Sequence, residues 1–369
     1  MRYSIFKGTI MTYNKLGLNI VIAGAVTLAV AFAASAIPSD KELLQKAKES
    51  DLVAMPTGKE LATFQQQKIK ETGIAKGYSP LLTKEQVELG KKLYFDPRLS
   101  SSNLISCNTC HNLGLAGTDV VPAAIGHKWS ANPHNLNSPT VLNSVFNDVQ
   151  FWDGRSAHLG DQAQGPIQNP VEMAAQPELV EQKITSIPEY VDAFKKAYGK
   201  NVKIDFKLIA DTIALYEFTL TTPSRFDSFL RGDTNALTKQ EKEGLNLFID
   251  KGCVSCHNGI NLGGNMQAFG IMGQYKYANV GDFKGNEDGL VKTPTLRNVM
   301  QTAPYFHNGQ YWDVKDAIKE MGKIQLGIDI SQSEAESIAT FFKSLDGKMP
   351  EVIYPVLPAS SSKTPKPTF

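Results

Sequence analysis

The stretches "CNTCHN" (residues 107–112) and "CVSCHN" (residues 253–258) contain all four cysteines of the chain, and a histidine directly follows each second cysteine. Covalent attachment of a c-type haem uses this spacing, because each cysteine sulfur adds to a vinyl group and the adjacent histidine binds the iron. We therefore interpret the two stretches as haem attachment sites, which comprise Cys107, Cys110, His111, Cys253, Cys256 and His257.

Two other uses of the cysteines have to be weighed. Four cysteines could form two disulfides in an exported protein. Zinc ribbons place their C-x-x-C pairs roughly 15–20 residues apart, whereas most of a domain separates Cys110 from Cys253. The repeated C-x-x-C-H pattern favours haem over both.

The N-terminus indicates export. Residues 1–17 carry basic residues and no acidic one, and residues 18–36 are predominantly apolar and end in small residues. This pattern is typical of a secretory signal peptide cleaved after Ala36. An uncleaved membrane anchor is the alternative, since the run is close to the spanning length of about 18 residues. Either way, we expect the bulk of the protein to lie outside the cytoplasm.

The composition is that of an ordinary folded protein, with 42% hydrophobic and 20% charged residues. The net charge is +1, and removal of Arg2, Lys7 and Lys15 lowers the basic residues from 38 to 35 against 37 acidic ones. This balance gives no indication of nucleic-acid binding. The length beyond residue 36 suffices for two domains.

An internal repeat divides the chain. "SPTVLNSVFNDVQFWDGR" (138–155) aligns without a gap with "TPTLRNVMQTAPYFHNGQ" (293–310), and "TKEQVELGKKLYFD" (83–96) resembles "TKQEKEGLNLFID" (238–250). Amphipathic segments without sustained strand alternation predict helices. The sequence therefore predicts a mainly α fold with two tandem cytochrome-c-like domains, each carrying one haem.

The predicted division has five segments. They are a signal peptide or anchor (1–36), an N-terminal extension (37–80), the first haem domain (81–222), the second haem domain (223–349), and a C-terminal tail (350–369) that we expect to be disordered or draped over the surface.

The two halves differ where function is expected. Trp152 in the first half aligns with His307 in the second. Near its end the first half has the segment "QGPIQNPVEM", whereas the second half has "EMGKIQLG". From about residue 81 to 355 the chain resembles the bacterial di-haem cytochrome c peroxidases, on the motifs "CNTCHNLG", "IGHKW", "NSPTVLN", "QFWDGR", "QAQGP", "VEM", "TAPYFHNG" and "MGKIQLG".

The resemblance implies an enzyme that reduces hydrogen peroxide to water. It implies electrons from a small c-type cytochrome or a copper protein, a calcium ion between the two domains, and a homodimer. The peroxide-reacting haem would belong to the first domain and the electron-entry haem to the second.

Iron ligation beyond His111 and His257 follows only partly from the residues. The second haem needs a distal ligand, and the candidates considered downstream of Cys256 are Met266, Met272, Met300 and Met321. A methionine ligand would raise the reduction potential of that haem relative to two histidines. The resemblance implies Met321.

The first haem is expected to be closed at rest. The nearest histidines downstream of His111 are His127, in a glycine-containing loop, and His134. The resemblance implies that His127 is a displaceable distal ligand of this haem. Reduction of the second haem would then release His127 and open a site for peroxide.

The remaining site residues come from the resemblance. It implies that Glu172 is the general acid and base for peroxide cleavage, that Gln162 orients peroxide or Glu172, and that Trp152 relays electrons between the haems. It further implies a calcium site formed by the Asn137 side chain and by the carbonyls of Thr302 and Pro304, with oxygen ligands as calcium prefers.

Two other functions are compatible with two haems. A plain electron carrier would not need Glu172 or the His127 loop. The related di-haem oxidases that modify a partner protein resemble the peroxidases but have a tyrosine where this sequence has Met321. Met321 therefore favours a peroxidase.

Haem attachment can be tested directly. Mass spectrometry of the mature protein should show two covalently bound haems. One should be lost in Cys107→Ala/Cys110→Ala and the other in Cys253→Ala/Cys256→Ala, because each cysteine pair supplies the thioether bonds of one haem. Disulfides within these pairs would refute the interpretation.

Overall fold

The structure, a computed structural model, describes residues 38–369 and is mainly helical there, which confirms the predicted fold class. The predicted signal segment, residues 1–36, lies outside the described residues. In the described part of the chain, no helix is both long and apolar enough to cross a membrane. The helices are α1 (Asp40–Glu49), α2 (Gly58–Thr72), α3 (Lys84–Phe95), α4 (Cys107–Cys110), α5 (Leu159–Gln168), α6 (Pro177–Thr185), α7 (Pro188–Tyr198), α8 (Phe206–Glu217), α9 (Arg225–Leu230), α10 (Lys239–Asp250), α11 (Val314–Met321) and α12 (Gln332–Phe342). Strands β1 (Met266–Ala268) and β2 (Leu290–Lys292) form an antiparallel pair in which Met266 lies opposite Lys292.

Equivalent capping boxes begin the first helix of each half. The Thr83 hydroxyl accepts a hydrogen bond from the Gln86 amide (3.2 Å), and the Gln86 side chain accepts one from the Thr83 amide (3.0 Å). Thr238 and Glu241 repeat the arrangement at the start of α10. These pairs satisfy amides that a helix N-terminus leaves free. The repeated "TK" segments therefore fix where α3 and α10 start.

The core of each half lies where two helices pack against each other. In the first half, α3 packs on α8, and Leu89 and Ile213 are buried between them. In the second half, α10 packs on α12, and Leu245 and Ile338 are buried. Burial of such side chains stabilises the fold by roughly 1.5–3 kcal/mol each.

A glycine lies at each of these crossings. A Cβ atom on Gly90 would lie 2.9 Å from the Cβ atom of Tyr216 in α8, and one on Gly244 would lie 2.9 Å from that of Phe341 in α12. Such separations are shorter than carbon atoms tolerate. The repeated "LG" and "EG" glycines thus allow the two helices of each half to approach closely.

The N-terminal extension contributes to both cores. Leu43 of α1 belongs to the core of the second half, whereas Ile69 of α2 belongs to that of the first. Beyond the extension, the cores change over between Leu220 and Phe226. The predicted boundary between residues 222 and 223 stays a prediction.

One buried hydroxyl links matching turns of the two halves. The aligned residues Asn143 and Asn298 both adopt left-handed backbone angles, with φ of 62° and 58°. Their side-chain amides both donate to the hydroxyl of Thr222, over 2.7 Å and 2.8 Å. Thr222 is fully buried. The repeat is therefore visible in the structure as two matching turns held by one residue between them.

The C-terminal tail lies along the first half. The rings of Tyr354 and Phe95 lie 4.9 Å apart, and the Ser360 hydroxyl accepts a hydrogen bond from Arg98. Near the end of the chain, the Thr368 amide donates to the carbonyl of Ser101 over 3.0 Å. Of the two expectations for the tail, the draped arrangement is the one observed.

The shared hydroxyl gives a stability test. Thr222→Val keeps the shape of the side chain but leaves two buried amide donors without their acceptor, so it should lower the free energy of unfolding by about 1–3 kcal/mol. Thr221→Val is the matched control, since within residues 38–369 the hydroxyl of Thr221 has no hydrogen bond. Urea unfolding followed by circular dichroism measures both. Equal midpoints for the two variants would contradict the linking role of Thr222.

Candidate haem and peroxide sites

Backbone carbonyls hold the two attachment histidines. Nδ1 of His111 lies 2.9 Å from the carbonyl oxygen of Pro139, and Nδ1 of His257 lies 3.0 Å from that of Leu262. Burial lowers the pKa of both imidazoles, which favours their neutral form. A neutral histidine that donates from Nδ1 presents Nε2 as its basic nitrogen, and this is how metal-bound histidines are usually oriented.

Burial favours the neutral thiol form of three of the four cysteines. Within residues 38–369 all four are free, and no group of three or more histidine, cysteine or acidic side chains could hold a metal ion. Burial raises the pKa of Cys107, Cys110 and Cys253. Zinc requires clustered thiolates. The donor set therefore fits haem attachment better than zinc or disulfides, and attachment itself stays a prediction.

A large apolar cavity adjoins the second motif. Cys253, Cys256 and His257 line one side of it, and Met321, the last residue of α11, lines it as well. The walls are mostly hydrophobic, with contributions from Phe248, Leu296, Ile318, Ile338 and Phe342. An apolar lining with a few polar groups is what a bound macrocycle requires. The residues present fit a haem.

The methionine candidates separate by position. Met321 lines the cavity together with His257. Met272 is 62% exposed, Met300 packs at the edge of the second core, and Met266 lies against Gly154. Only Met321 of these four contributes to the described lining. Its role as an iron ligand stays a prediction, which the cavity supports.

The His127 loop is bound to the segment that carries Glu172. The His127 amide donates to the carbonyl of Val171 over 3.2 Å, and Nδ1 of His127 lies 3.5 Å from the Ser101 hydroxyl. Lys128 and Trp129 both have positive φ, and Trp129 is 64% exposed. Two consecutive residues in the left-handed region strain the loop. His134 lies elsewhere, with Nδ1 2.8 Å from the Asp282 carboxylate of the second half.

Glu172 is half-buried in the first half. Its Oε1 accepts a hydrogen bond from the Asn169 side chain over 3.0 Å. Burial raises the pKa of Glu172, while the charge of Arg155 and the Asn169 hydrogen bond oppose this rise. A raised pKa suits a group that must take up and release a proton near neutral pH.

The surroundings of Glu172 differ from the expectation in one respect. Gln162 lies in α5, but in the described structure its side chain has no hydrogen bond with Glu172. Asn169, whose side chain also accepts from the Val171 amide, holds Glu172 instead. The sequence reasoning missed Asn169, although an Asn-Pro pair before a functional acid signals a turn. Gln162 as a residue that orients peroxide stays a prediction.

A cation also lies close to this site. The guanidinium of Arg155 lies 3.5 Å from the centre of the Phe151 ring and is fixed by the Asp153 carboxylate, at 2.8 Å and 2.9 Å. Gly165 of α5 leaves room for the Phe151 ring, since a Cβ atom there would lie 2.9 Å from Cζ. Arg155 was overlooked in the sequence, where Gln310 occupies the equivalent position of the repeat.

Trp152 lies where the two halves exchange hydrogen bonds. Its carbonyl accepts from the Lys292 amide over 2.8 Å, and the carbonyl of His307 accepts from the Asn137 amide over 2.8 Å. Asn137 aligns with Lys292 and Trp152 with His307, so the two bonds are equivalent in the repeat. The rings of Trp152 and His307 lie 6.3 Å apart, edge to face. Trp152 thus lies between the halves, and its relay role stays a prediction.

The predicted calcium residues come together at the same place. The side-chain Nδ2 atom of Asn137 donates to the carbonyl of Val121 (2.8 Å), and the backbone carbonyl of Asn137 accepts from Nε1 of Trp152 (2.9 Å). Within residues 38–369 the side-chain oxygen of Asn137 has no hydrogen-bond donor, and Asn137, Thr302 and Pro304 all line the large cavity. Oxygen atoms of this kind suit calcium. The sequence carries no acidic cluster that would signal the site.

Comparison with known proteins is consistent with this arrangement. Residues 84–235 match the family model described as di-haem cytochrome c peroxidase, and residues 241–345 match that of cytochrome c. Cytochrome c551 peroxidase of Pseudomonas aeruginosa is 52% identical over 78% of this chain and 86% of its own length. The protein of the same name from Nitrosomonas europaea is 46% identical, over 76% and 86%. A solved MauG-like protein associated with microbial copper homeostasis shares the fold, with a TM-score of 0.63, 24% identity, and coverage of 72% of this chain and 90% of that one.

A buried acid beside the first motif offers a test by pH. Glu217, at the end of α8, is 4% exposed, and its Oε2 has no hydrogen bond within the described residues. Burial raises the pKa of Glu217 to about 8. The folded protein therefore holds this proton more tightly than the unfolded chain does. Ionisation of Glu217 should lower the free energy of unfolding as the pH rises from 4.5, the ordinary pKa of a glutamate, to about 8.

Glu217→Gln removes this titration. The free energy of unfolding of the parent should fall relative to that of the variant by on the order of 1 kcal/mol per pH unit in this window. Urea unfolding of both proteins at pH 5, 6, 7 and 8 measures the difference. The exposed Glu178→Gln is the control and should show no such trend. A parallel pH dependence of parent and Glu217→Gln would show that Glu217 does not titrate there.

Proposed function

The chain belongs to the di-haem cytochrome c peroxidase family, and we propose that it reduces hydrogen peroxide to water at the haem of its first domain with electrons that enter at the haem of its second. The family assignment rests on the matched models and on relatives of 52% and 46% identity that span most of the chain. The division of labour between the two haems rests on how the halves differ.

One observation carries the proposal. The hydrogen bond from the His127 amide to the Val171 carbonyl joins the loop of the candidate sixth ligand to the residue that precedes Glu172. A half-buried carboxyl and a strained histidine loop are thus neighbours in the first half. The equivalent region of the second half instead has Met321 in its cavity. A symmetric electron carrier would not need this difference.

Glu172 moves the proton that the reaction requires. A haem attached at Cys107 and Cys110 and held by His111 would supply the iron that binds peroxide and passes electrons to it. Cleavage of the O–O bond then needs a proton on the leaving oxygen, and Glu172 is the neighbouring acid. The Asn169 side chain orients the Glu172 carboxyl through a hydrogen bond of 3.0 Å. The charge of Arg155 favours the ionised form of Glu172 and so helps the carboxylate to form again after the transfer.

The His127 loop controls access. The backbone hydrogen bond from His127 to Val171 and the contact of His127 with Ser101 hold the closed form. Strain at Lys128 and Trp129 favours a second arrangement once those bonds are released. We expect reduction of the second haem to release them, which makes the two sites allosterically coupled.

Electrons pass through the contact between the halves. Met321 and His257 would hold the iron of the second haem, and the buried Trp152 of the first half lines the same cavity as these two residues. A calcium ion on Asn137, Thr302 and Pro304 would stabilise the same contact. Asn137 bonds to both the Trp152 indole and the His307 carbonyl, so this ion would also affect the relay.

The cellular setting follows from the N-terminal sequence and the family resemblance. We propose export to the periplasm, a small c-type cytochrome or copper protein as electron donor, and a homodimer. The partner-modifying oxidases remain the competing class, and Met321 in the cavity argues against it, since that class resembles the peroxidases but has tyrosine at this position.

Glu172→Gln tests the proton-transfer role. The variant should bind small ligands after half-reduction but lose peroxide turnover by roughly 10²–10⁴-fold, or 3–5 kcal/mol in the barrier, because an amide does not carry the proton. Steady-state turnover with a reduced donor cytochrome measures this. Glu178→Gln, on an exposed part of α6, is the control and should keep normal turnover. Near-normal turnover of Glu172→Gln would remove that residue from the mechanism.

His127→Gly tests the gate. Loss of the sixth ligand should give a high-spin first haem that reacts with peroxide while the protein is fully oxidised. The matched control is His134→Gly, which loses the surface contact with Asp282 and should leave the first haem low-spin and inert. Absorption and EPR spectra of both oxidised variants decide the matter. The gate is misassigned if His134→Gly opens the haem and His127→Gly does not.

A further inference from the structure

Lys292 is a buried lysine at the contact between the halves. It ends strand β2 and is 5% exposed. Its amide donates to the carbonyl of Trp152, and its Nζ atom lies 6.0 Å from the centre of the Trp152 ring. The side chain lines the same cavity as Cys253, Cys256 and His257.

This ammonium group has no protein partner in the part of the chain that the structure describes. Its Nζ atom forms neither a hydrogen bond nor an ion pair with residues 38–369. Burial alone lowers the pKa of Lys292 to about 8, and no carboxylate offsets the effect. A charge removed from water without a partner is strongly unfavourable. The Lys292 ammonium group therefore needs a partner anion, and residues 38–369 do not provide one.

The cavity itself identifies what the anion could be. Among all the residues that line the cavity, Lys292 is the one lysine, arginine, aspartate or glutamate in the described structure. A haem carries two carboxylate groups on the edge opposite its two thioether bonds. A haem bound through Cys253 and Cys256 would bring this carboxylate edge into a cavity with a single fixed charge, which is positive.

We propose that the Lys292 ammonium forms an ion pair with a carboxylate of the haem bound at Cys253 and Cys256 and thereby positions that haem beside Trp152. The inference rests on the proposed function only for the presence of this haem. Lys292 is a positioning residue, because it acts through the haem and Trp152 rather than on peroxide.

The repeat explains why only one half has this charge. Lys292 aligns with Asn137. The backbone amide of Lys292 donates to the Trp152 carbonyl, and that of Asn137 donates to the His307 carbonyl. Asn137 uses its side chain for Val121 and leaves an oxygen free, whereas Lys292 presents a cation. Equivalent backbone positions thus carry an amide side chain in the first half and a cation in the second.

The test uses reduction potentials, which need no peroxide activity. Lys292→Gln should lower the midpoint potential of the second haem, because losing the cation leaves a haem carboxylate unpaired and favours the more positive oxidised iron. We expect at least a tenfold change in the reduction equilibrium, or 59 mV for one electron. Lys292→Arg keeps the charge and should retain most of the potential. Lys323→Gln, an exposed lysine two residues after Met321, is the control for a solvent-screened charge and should change the potential little.

Spectroelectrochemical titration, with each haem followed by its own absorption band, measures the three variants after mass spectrometry has confirmed two attached haems. An infrared redox-difference spectrum with ¹³C-labelled haem carboxylates provides a second readout, in which the carboxylate band should move in Lys292→Gln and not in Lys323→Gln. An unchanged second-haem potential in Lys292→Gln would overturn the proposal. So would a shift confined to the first haem, or an unmoved carboxylate band. If the parent protein lacks peroxidase activity but Lys292→Gln shows the predicted shifts in potential and in the carboxylate band, the proposed function is contradicted and the ion pair is not.

Discussion

Two backbone hydrogen bonds tie the halves of this protein together. The Lys292 amide donates to the Trp152 carbonyl, and the Asn137 amide donates to the His307 carbonyl, each over 2.8 Å. The bonds are equivalent in the repeat, so the duplication provides a symmetric joint. Asn143 and Asn298 add a second symmetric contact on the Thr222 hydroxyl. Backbone bonds do not depend on side-chain identity, which leaves the side chains at this joint free to diverge.

Function follows from that divergence. Trp152 faces His307, Asn137 corresponds to Lys292, and the first half alone carries the Glu172 segment and the His127 loop. The joint holds these unlike side chains at fixed distances. A change of charge in the second half therefore acts on first-half residues that already contact the second half, such as Trp152 and Asn137. Such physical continuity is what coupling between two haem sites requires.

The sequence allowed the fold and the haem motifs to be predicted because both depend on local patterns. Two C-x-x-C-H stretches and a gapless repeat are visible without knowledge of tertiary contacts. Asn169, Arg155 and Lys292 were not predicted, since their roles depend on which groups surround them. An Asn, an Arg and a Lys are most often solvated surface residues. Asn137 was reached only through family resemblance, because calcium sites built from amide and carbonyl oxygens leave no acidic signature.

The coupling between the haems is the central claim, and peroxide turnover of the fully oxidised and half-reduced protein tests it most directly. Absorption and EPR spectra of each form should accompany the rates. The account predicts an inert oxidised form with a low-spin first haem, and a half-reduced form that turns over peroxide with a high-spin first haem. Equal turnover of the two forms, with a first haem whose spin state does not change, would contradict it.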